Sequence, residues 1–195
     1  VHSFNRIYGD VLVNPKIMLA ENEVCQRLPG IDGKAKMSKS LGNCIYLADT
    51  SEDVRKKVMS MYTDPNHIRV QDPGTVEGNT VFTYLDCFCK DEHFEKYLPE
   101  YHNLDELKDH YRRGGLGDVK IKKFLFNVLE DTLQPIRQRR QELEKDIDYV
   151  MSVLHEGCIK ANKKANATLK RAKDAMKINY FDNDEDSISE YYKKP

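Results

Sequence analysis

The chain has 195 residues, enough for one good core or two small ones, and pairs 39% hydrophobic with 32% charged residues at a formal net charge of −1. No apolar run approaches the roughly 20 residues that span a bilayer, so the sequence predicts no membrane helix. The near-zero charge argues against a nucleic-acid coat protein but leaves room for a local basic face. Cys25, Cys44, Cys87, Cys89 and Cys158 form neither an even disulfide framework nor a pair of metal-ligand spacings. They predict buried structural thiols in a reducing, cytoplasmic compartment, with no metal centre.

In chain order, His2 to Gly9 reads as the end of a helix closed by glycine with no start signal before it, which predicts a piece of a longer protein. Between residues 10 and 50 the chain is punctuated by Pro15, Pro29-Gly30, Asp32-Gly33 and Gly42-Asn43. Ile45-Tyr46-Leu47, short and bounded by turn residues, is the best strand candidate, suited to the edge of an α/β sheet. Thr50-Ser51-Glu52-Asp53 then has capping-box form, and Val54, Val58 and Met61 recur at helical spacing until Asp64-Pro65. A turn at Asp72-Pro73-Gly74 precedes a helix near Thr80–Phe88, with Val81, Tyr84, Leu85 and Phe88 on one face. A shorter helix is predicted from Leu104 to Tyr111, closed by Gly114-Gly115-Leu116-Gly117.

The longest pattern starts at Asp118, a good N-cap residue. Leu125, Leu129, Leu133, Ile136, Leu143, Ile147, Val150 and Leu154 follow in threes and fours, with one gap at Arg140. Pro135 is expected to kink this helix and Gly157 to end it. A second helix, Ile159 to Met176, would return along it. From Asp182 the chain is acidic and polar.

One segment carries chemistry: Gly33-Lys34-Ala35-Lys36-Met37-Ser38-Lys39-Ser40-Leu41-Gly42-Asn43. Lysine ammoniums, hydroxyls and backbone N–H groups between glycines suit a polyphosphate. The Gly-x-x-x-x-Gly-Lys-Ser/Thr order of a phosphate P-loop is absent. On composition alone the segment reads first as a solvated lysine-rich turn, which is what most such segments are.

Lys36-Met37-Ser38-Lys39-Ser40 is identical to the KMSKS signature of class I aminoacyl-tRNA synthetases. With Arg27-Leu28-Pro29-Gly30-Ile31-Asp32-Gly33 before it and Leu41-Gly42-Asn43 after it, the segment resembles the tryptophanyl type found in bacteria. The resemblance continues at Phe4-Asn5-Arg6-Ile7-Tyr8-Gly9, Thr63-Asp64-Pro65, Gly117-Asp118-Val119-Lys120 and Pro135-Ile136-Arg137. Lys34-Ala35 makes the approach to Lys36 slightly longer than the commoner family pattern. The family's other signature, His-x-Gly-His, has no match, since His2, His67, His93, His102, His110 and His155 stand alone.

The resemblance implies a mainly α chain in three parts. Residues 1–49 would be the end of a Rossmann-like nucleotide-binding domain carrying the KMSKS loop, 50–181 a helical anticodon-side domain with a long Pro-kinked helix, and 182–195 an acidic tail. It implies activation of tryptophan by ATP, with Mg²⁺, followed by transfer to tRNA(Trp). Lys36 and Lys39 would meet charge building on the leaving pyrophosphate. Leu28, Met37, Ser38 and Ser40 would complete the ATP site, Leu28 through its backbone at the adenine. Without the upstream half, which in the family holds the amino-acid pocket and most of the homodimer contacts, the chain is expected to be inactive alone. A tyrosyl-type synthetase or a free-standing tRNA-binding module are the alternatives.

The family also implies a basic face for tRNA phosphates. Lys160, Lys163, Lys164, Lys170, Arg171, Lys173 and Lys177 stand against one acid, Asp174, and Arg137, Arg139 and Arg140 add a second cluster. Tyr180 and Phe181 offer rings for base stacking. A solvated helix face explains the same charges.

Overall fold

The computed structural model describes residues 1–19 and 23–179. Tyr180, Phe181 and the acidic stretch from Asp182 lie outside them. The described residues are mostly helical, in two compact units: residues 19–144, and residues 1–18 with the chain from 145 onward. Among them no helix is long and apolar enough to cross a membrane.

The unit of residues 19–144 owes its core to five helices: α2 (Ser51–Met59), α3 (Thr80–Phe88), α4 (Asp91–Tyr97), α5 (Leu104–Arg113) and α6 (Asp118–Leu143). Thr50 caps α2 as its sequence predicts, its hydroxyl accepting the Asp53 N–H at 3.1 Å and donating to the Asp53 carboxylate at 2.6 Å. Val54, Val58 and Met61 are buried, and α2 and α3 pack on α6. Val81, Phe82, Tyr84 and Leu85 of α3 meet Ile121, Phe124, Leu125, Val128, Leu129 and Leu133 of α6 in one cluster, joined by Phe94, Leu107 and Tyr111. Burying each large side chain contributes about 1.5–3 kcal/mol, so this cluster is what holds the unit together.

Three expectations are corrected. Asp118 is the first helical residue of α6 and Gly117 its N-cap. The Asp118 carboxylate is drawn away from its own helix end because three side chains reach it: Thr63 Oγ1 at 2.7 Å, Tyr111 OH at 2.8 Å and His67 Nδ1 at 3.1 Å. Ile45-Tyr46-Leu47 forms no strand, since extended backbone needs a neighbour to complete its hydrogen bonds and none of the described residues supplies one. Finally, the long helix breaks ahead of Gly157, not at it.

Helix α6 runs through Pro135 and stops at Leu143. Asp146 starts α7 (Ile147–Met176), accepting the Tyr149 N–H at 3.0 Å. An Asp side chain in reach of an N–H three residues on is a stronger local start than an exposed glycine is a stop. Gly157, with open space where a Cβ would point, is accommodated inside α7. The seam predicted across this region is therefore divided. Leu125, Leu129 and Leu133 are buried, whereas Ile136, Ile147, Val150 and Leu154 are exposed.

The other unit holds α1 (His2–Tyr8) and α7. The first helix does end at Gly9, at φ 85°, with the Gly9 N–H on the Asn5 carbonyl. The Asn5 side chain clamps the next turn, donating to the Leu12 carbonyl at 2.6 Å and accepting its N–H at 3.0 Å.

All five cysteines are free thiols. Burial pushes the Cys89 thiol up to about 12, and that of Cys87 upward as well, which makes both poor nucleophiles. Cys158 is exposed on α7.

Candidate phosphate-binding loop

Residues 28–43 fold as a short hairpin-like loop whose two arms are joined by main chain. Gly30 N–H donates to the Ala35 carbonyl at 2.8 Å and Met37 N–H to the Leu28 carbonyl at 3.2 Å, with an isolated antiparallel pairing of Pro29 and Lys36 between them. Gly33 turns the chain at φ 67°, a conformation open to glycine at little cost. A side chain there would also strike Thr80 Oγ1 and the Tyr62 ring, so the tip rests against α3 and the segment after α2.

Three further contacts seat the loop on the core. The Tyr62 N–H donates to the Ile31 carbonyl at 2.9 Å, and the Tyr84 hydroxyl donates to the Pro29 carbonyl at 2.8 Å. Burial raises the Tyr84 pKa well above its ordinary value, which keeps the hydroxyl protonated and donating. Leu28, Ile31 and Met37 pack against the hydrophobic cluster.

Beyond Met37 the chain makes a single 3₁₀ turn, Lys39–Leu41, entered at Ser38 and left at Gly42 with φ 65°. Ser38 and Ser40 face each other, Oγ to Oγ 2.9 Å. Lys36, Lys39 and Ser40 are exposed and Ser38 half-buried. The predicted phosphate-facing side chains are thus gathered on one short loop, with Ile31 and Met37 turned to the core and Lys36, Lys39 and Leu41 to solvent. Leu28, proposed for the adenine, is in the opposite arm and half-buried.

A polar cluster stands behind this loop's support. Besides its hold on Thr63, His67 and Tyr111 through Asp118, the segment after α2 is organised by Asp64. That carboxylate accepts the Asn66 N–H at 2.8 Å and the Thr75 N–H at 2.7 Å, which hold its pKa below the usual carboxylate range. Thr63-Asp64 and Gly117-Asp118, far apart in sequence, are therefore one structure. Sequence reasoning gave them no role beyond likeness, because nothing local shows that Asp118 serves a threonine 55 residues away.

The basic residues are placed differently. Arg137 is mostly buried, its guanidinium 2.5 Å from Glu130 and 3.4 Å from the Asp49 carbonyl. Arg139 pairs with Glu142 and Arg140 with Glu144 on exposed helix surface. On α7, Lys163, Lys164 and Arg171 are exposed, as is Lys170, which lies 3.5 Å from Asp174. Among the described residues no group of three or more His, Cys, Asp or Glu side chains is placed to hold a metal ion.

A mostly helical chain bearing this loop has clear relatives. The model of the family described as tRNA synthetases class I (W and Y) matches residues 1–134, and the chain belongs to that family. It is 57% identical over 184 residues to a tryptophan–tRNA ligase of Clostridium longisporum, covering 94% of this chain and 51% of the relative. Against a tryptophan–tRNA ligase of Streptococcus pyogenes it is 54% identical over 182 residues, 93% of this chain and 52% of the relative. The chain thus spans about half the length of the curated relatives it matches.

Solved structures agree on the fold. The tryptophanyl-tRNA synthetase of Campylobacter jejuni, complexed with ADP and tryptophan, superposes with a TM-score of 0.65 at 23% identity, covering 90% of this chain and 50% of that one. That of Mycoplasma pneumoniae gives 0.66 at 21% identity, covering 92% and 52%.

Proposed function

We propose that this chain is the C-terminal, KMSKS-bearing part of a tryptophan–tRNA ligase, and that Lys36 and Lys39 act on the pyrophosphate of ATP. The observation that carries the reading is the loop itself. Two exposed lysines and two hydroxyls sit on a loop that Leu28, Ile31 and Met37 fix to a core, in a chain 57% identical to a tryptophan–tRNA ligase.

In the proposed first step a carboxylate oxygen of tryptophan attacks the α-phosphorus of ATP. The bond from that phosphorus to the bridging oxygen breaks, and pyrophosphate leaves with the electron pair. Lys36 and Lys39 neutralise the charge that grows on the leaving group. Cations already in place at that moment lower the barrier instead of merely tightening binding. Ser38 and Ser40 supply hydroxyl or backbone contacts, Met37 fixes the turn to the core, and the Leu28 backbone meets the adenine. Mg²⁺ enters this proposal only as the companion of ATP, carried by its phosphates; no step is assigned to it.

The remaining parts of the proposal are architectural. Residues 1–49 belong with a Rossmann-like catalytic domain, 50–181 form the anticodon-side domain with α6 kinked at Pro135, and 182–195 are a tail. The amino-acid pocket and the homodimer contacts lie in the half of the relatives' length that this chain does not span. On that account the chain alone is inactive. Arg139, Arg140, Lys163, Lys164, Lys170 and Arg171 offer cations to tRNA(Trp) phosphates, whereas Arg137 would have to share itself with Glu130. The working compartment is the cytoplasm.

The test is tryptophan-dependent ATP–pyrophosphate exchange in the protein expressed from its complete reading frame. Lys36→Ala is expected to cut kcat by on the order of a hundredfold or more, the scale of losing one preorganised charge contact. Undiminished exchange in Lys36→Ala overturns the assignment. Exchange that follows tyrosine in place of tryptophan would keep the loop and change the substrate.

A further inference from the structure

Asn43 is buried at 5% exposure inside the loop, yet none of the chemistry assigned above uses it. Its Oδ1 accepts the Ser38 N–H at 2.8 Å. Its Nδ2 lies 3.3 Å from Asp32 Oδ1 and, at a longer 3.5 Å, from the Lys36 carbonyl. Its own carbonyl accepts the Ile31 N–H at 3.0 Å. The chemistry of these partners fixes the orientation of the amide, because an N–H can only donate while a carboxylate and a carbonyl can only accept. One end must therefore be oxygen and the other nitrogen, a demand that asparagine meets and neither aspartate nor leucine does.

The position of the amide is fixed as tightly as its orientation. A Cβ built on Gly30 would lie 2.1 Å from Asn43 Nδ2, so the absence of a side chain at Gly30 makes the space it occupies. Asn43 thereby spans the loop from within. It touches the arm before the tip at Asp32, the first lysine at its carbonyl, and the entry to the 3₁₀ turn at Ser38. Ser38 has no side-chain cap on that turn, so its N–H is held by the Asn43 amide while its hydroxyl meets Ser40.

We infer that Asn43 is a positioning residue for the activation step: it sets the placement of Lys36 relative to Lys39, and so their joint fit to the leaving pyrophosphate. This inference rests on the function proposed above. An error of an ångström in a preorganised cation is costly, on the order of a hundredfold in rate, so an internal strut should act on turnover.

The experiment is ATP–pyrophosphate exchange in the protein expressed from its complete reading frame, with Lys36→Ala as the reference. Asn43→Ala is expected to lower kcat by about tenfold to a hundredfold with the tryptophan KM in place. Added to Lys36→Ala, it is expected to lower kcat by clearly less than it does alone, because much of what the strut positions is then gone. Asn43→Asp sets a second carboxylate against Asp32 and should be as slow as Asn43→Ala. Combining it with Asp32→Asn returns a donor to that contact and should recover most of kcat, which a residue that only fills space would not do. If Lys36→Ala is slow but Asn43→Ala exchanges at the unsubstituted rate, this inference falls and the loop assignment stands. It falls equally if the Asn43→Ala and Lys36→Ala losses multiply, or if the Asp32→Asn, Asn43→Asp pair stays slow. If Lys36→Ala itself is undiminished, both fall together.

Discussion

Helices α6 and α7 carry similar apolar spacing and have opposite fates. In α6, Ile121, Phe124, Leu125, Val128, Leu129 and Leu133 are buried against α2 and α3. In α7, a longer helix, none of the described residues is buried, and Ile147, Val150, Met151 and Leu154 stand exposed on its first turns. Periodicity reports that a helix has an apolar side; it does not report what covers that side. The first half of the pattern is a core and the second half is a surface, although both were written with the same alternation of threes and fours.

The largest test of this contrast is a pair of truncations in the 195-residue chain. Leu125→Ala removes a fully buried side chain and leaves a cavity, with an expected cost of about 2–5 kcal/mol by urea or thermal unfolding. Leu154→Ala removes one that is 58% exposed, and its expected cost is within about 0.5 kcal/mol. Equal losses would mean that α7 is covered in solution.

Acid distinguishes the regions next. The Asp64 carboxylate takes N–H groups from Asn66 and Thr75, and Asp131 takes the Tyr97 hydroxyl and the Lys96 ammonium. Both pKa values are lowered in the fold, Asp64 chiefly by the Asn66 N–H and Asp131 chiefly by the Tyr97 hydroxyl. A group whose folded pKa is depressed gives stability that is present above its unfolded pKa, near 3.9, and lost as pH falls through the folded value. The unit of residues 19–144 should therefore weaken below about pH 4. Asp64→Asn should flatten that acid slope and, by weakening acceptors for two N–H groups, cost about 1–3 kcal/mol at neutral pH. An unaltered slope in Asp64→Asn would show that the segment after α2 is not held by this carboxylate.

Local rules read well where the deciding partners were local. The Thr50 cap, the helices beginning at Thr80 and Leu104, and the glycine closing the first helix were legible because each depends on residues within one turn. The loop was legible as a candidate from its likeness to the KMSKS signature, where composition alone left a solvated lysine-rich turn open. Its internal bracing was not. Asn43 read as a turn residue after Gly42, and only the approach of Gly30 and Asp32 shows what its amide does. Asp118 departs from the N-cap place its sequence predicts for the same reason, since its three partners come from elsewhere in the chain. Ile45-Tyr46-Leu47 had a strand's composition without a neighbour to pair with.

Gly157 gives the smallest and sharpest test of the difference between the helices. The sequence predicts a helix end there, and the residue lies within α7 instead, with nothing within 4 Å of where a Cβ would point. Glycine inside an exposed helix costs roughly 0.5–1 kcal/mol relative to alanine, because the unfolded chain loses more freedom there. Gly157→Ala should therefore stabilise α7 by about that amount, read as higher helicity by circular dichroism and a later loss of that signal on heating. The same substitution at a helix stop would be neutral or harmful, so a gain supports the continuous helix against the broken one. A loss would mean that another surface approaches α7 closely at this point.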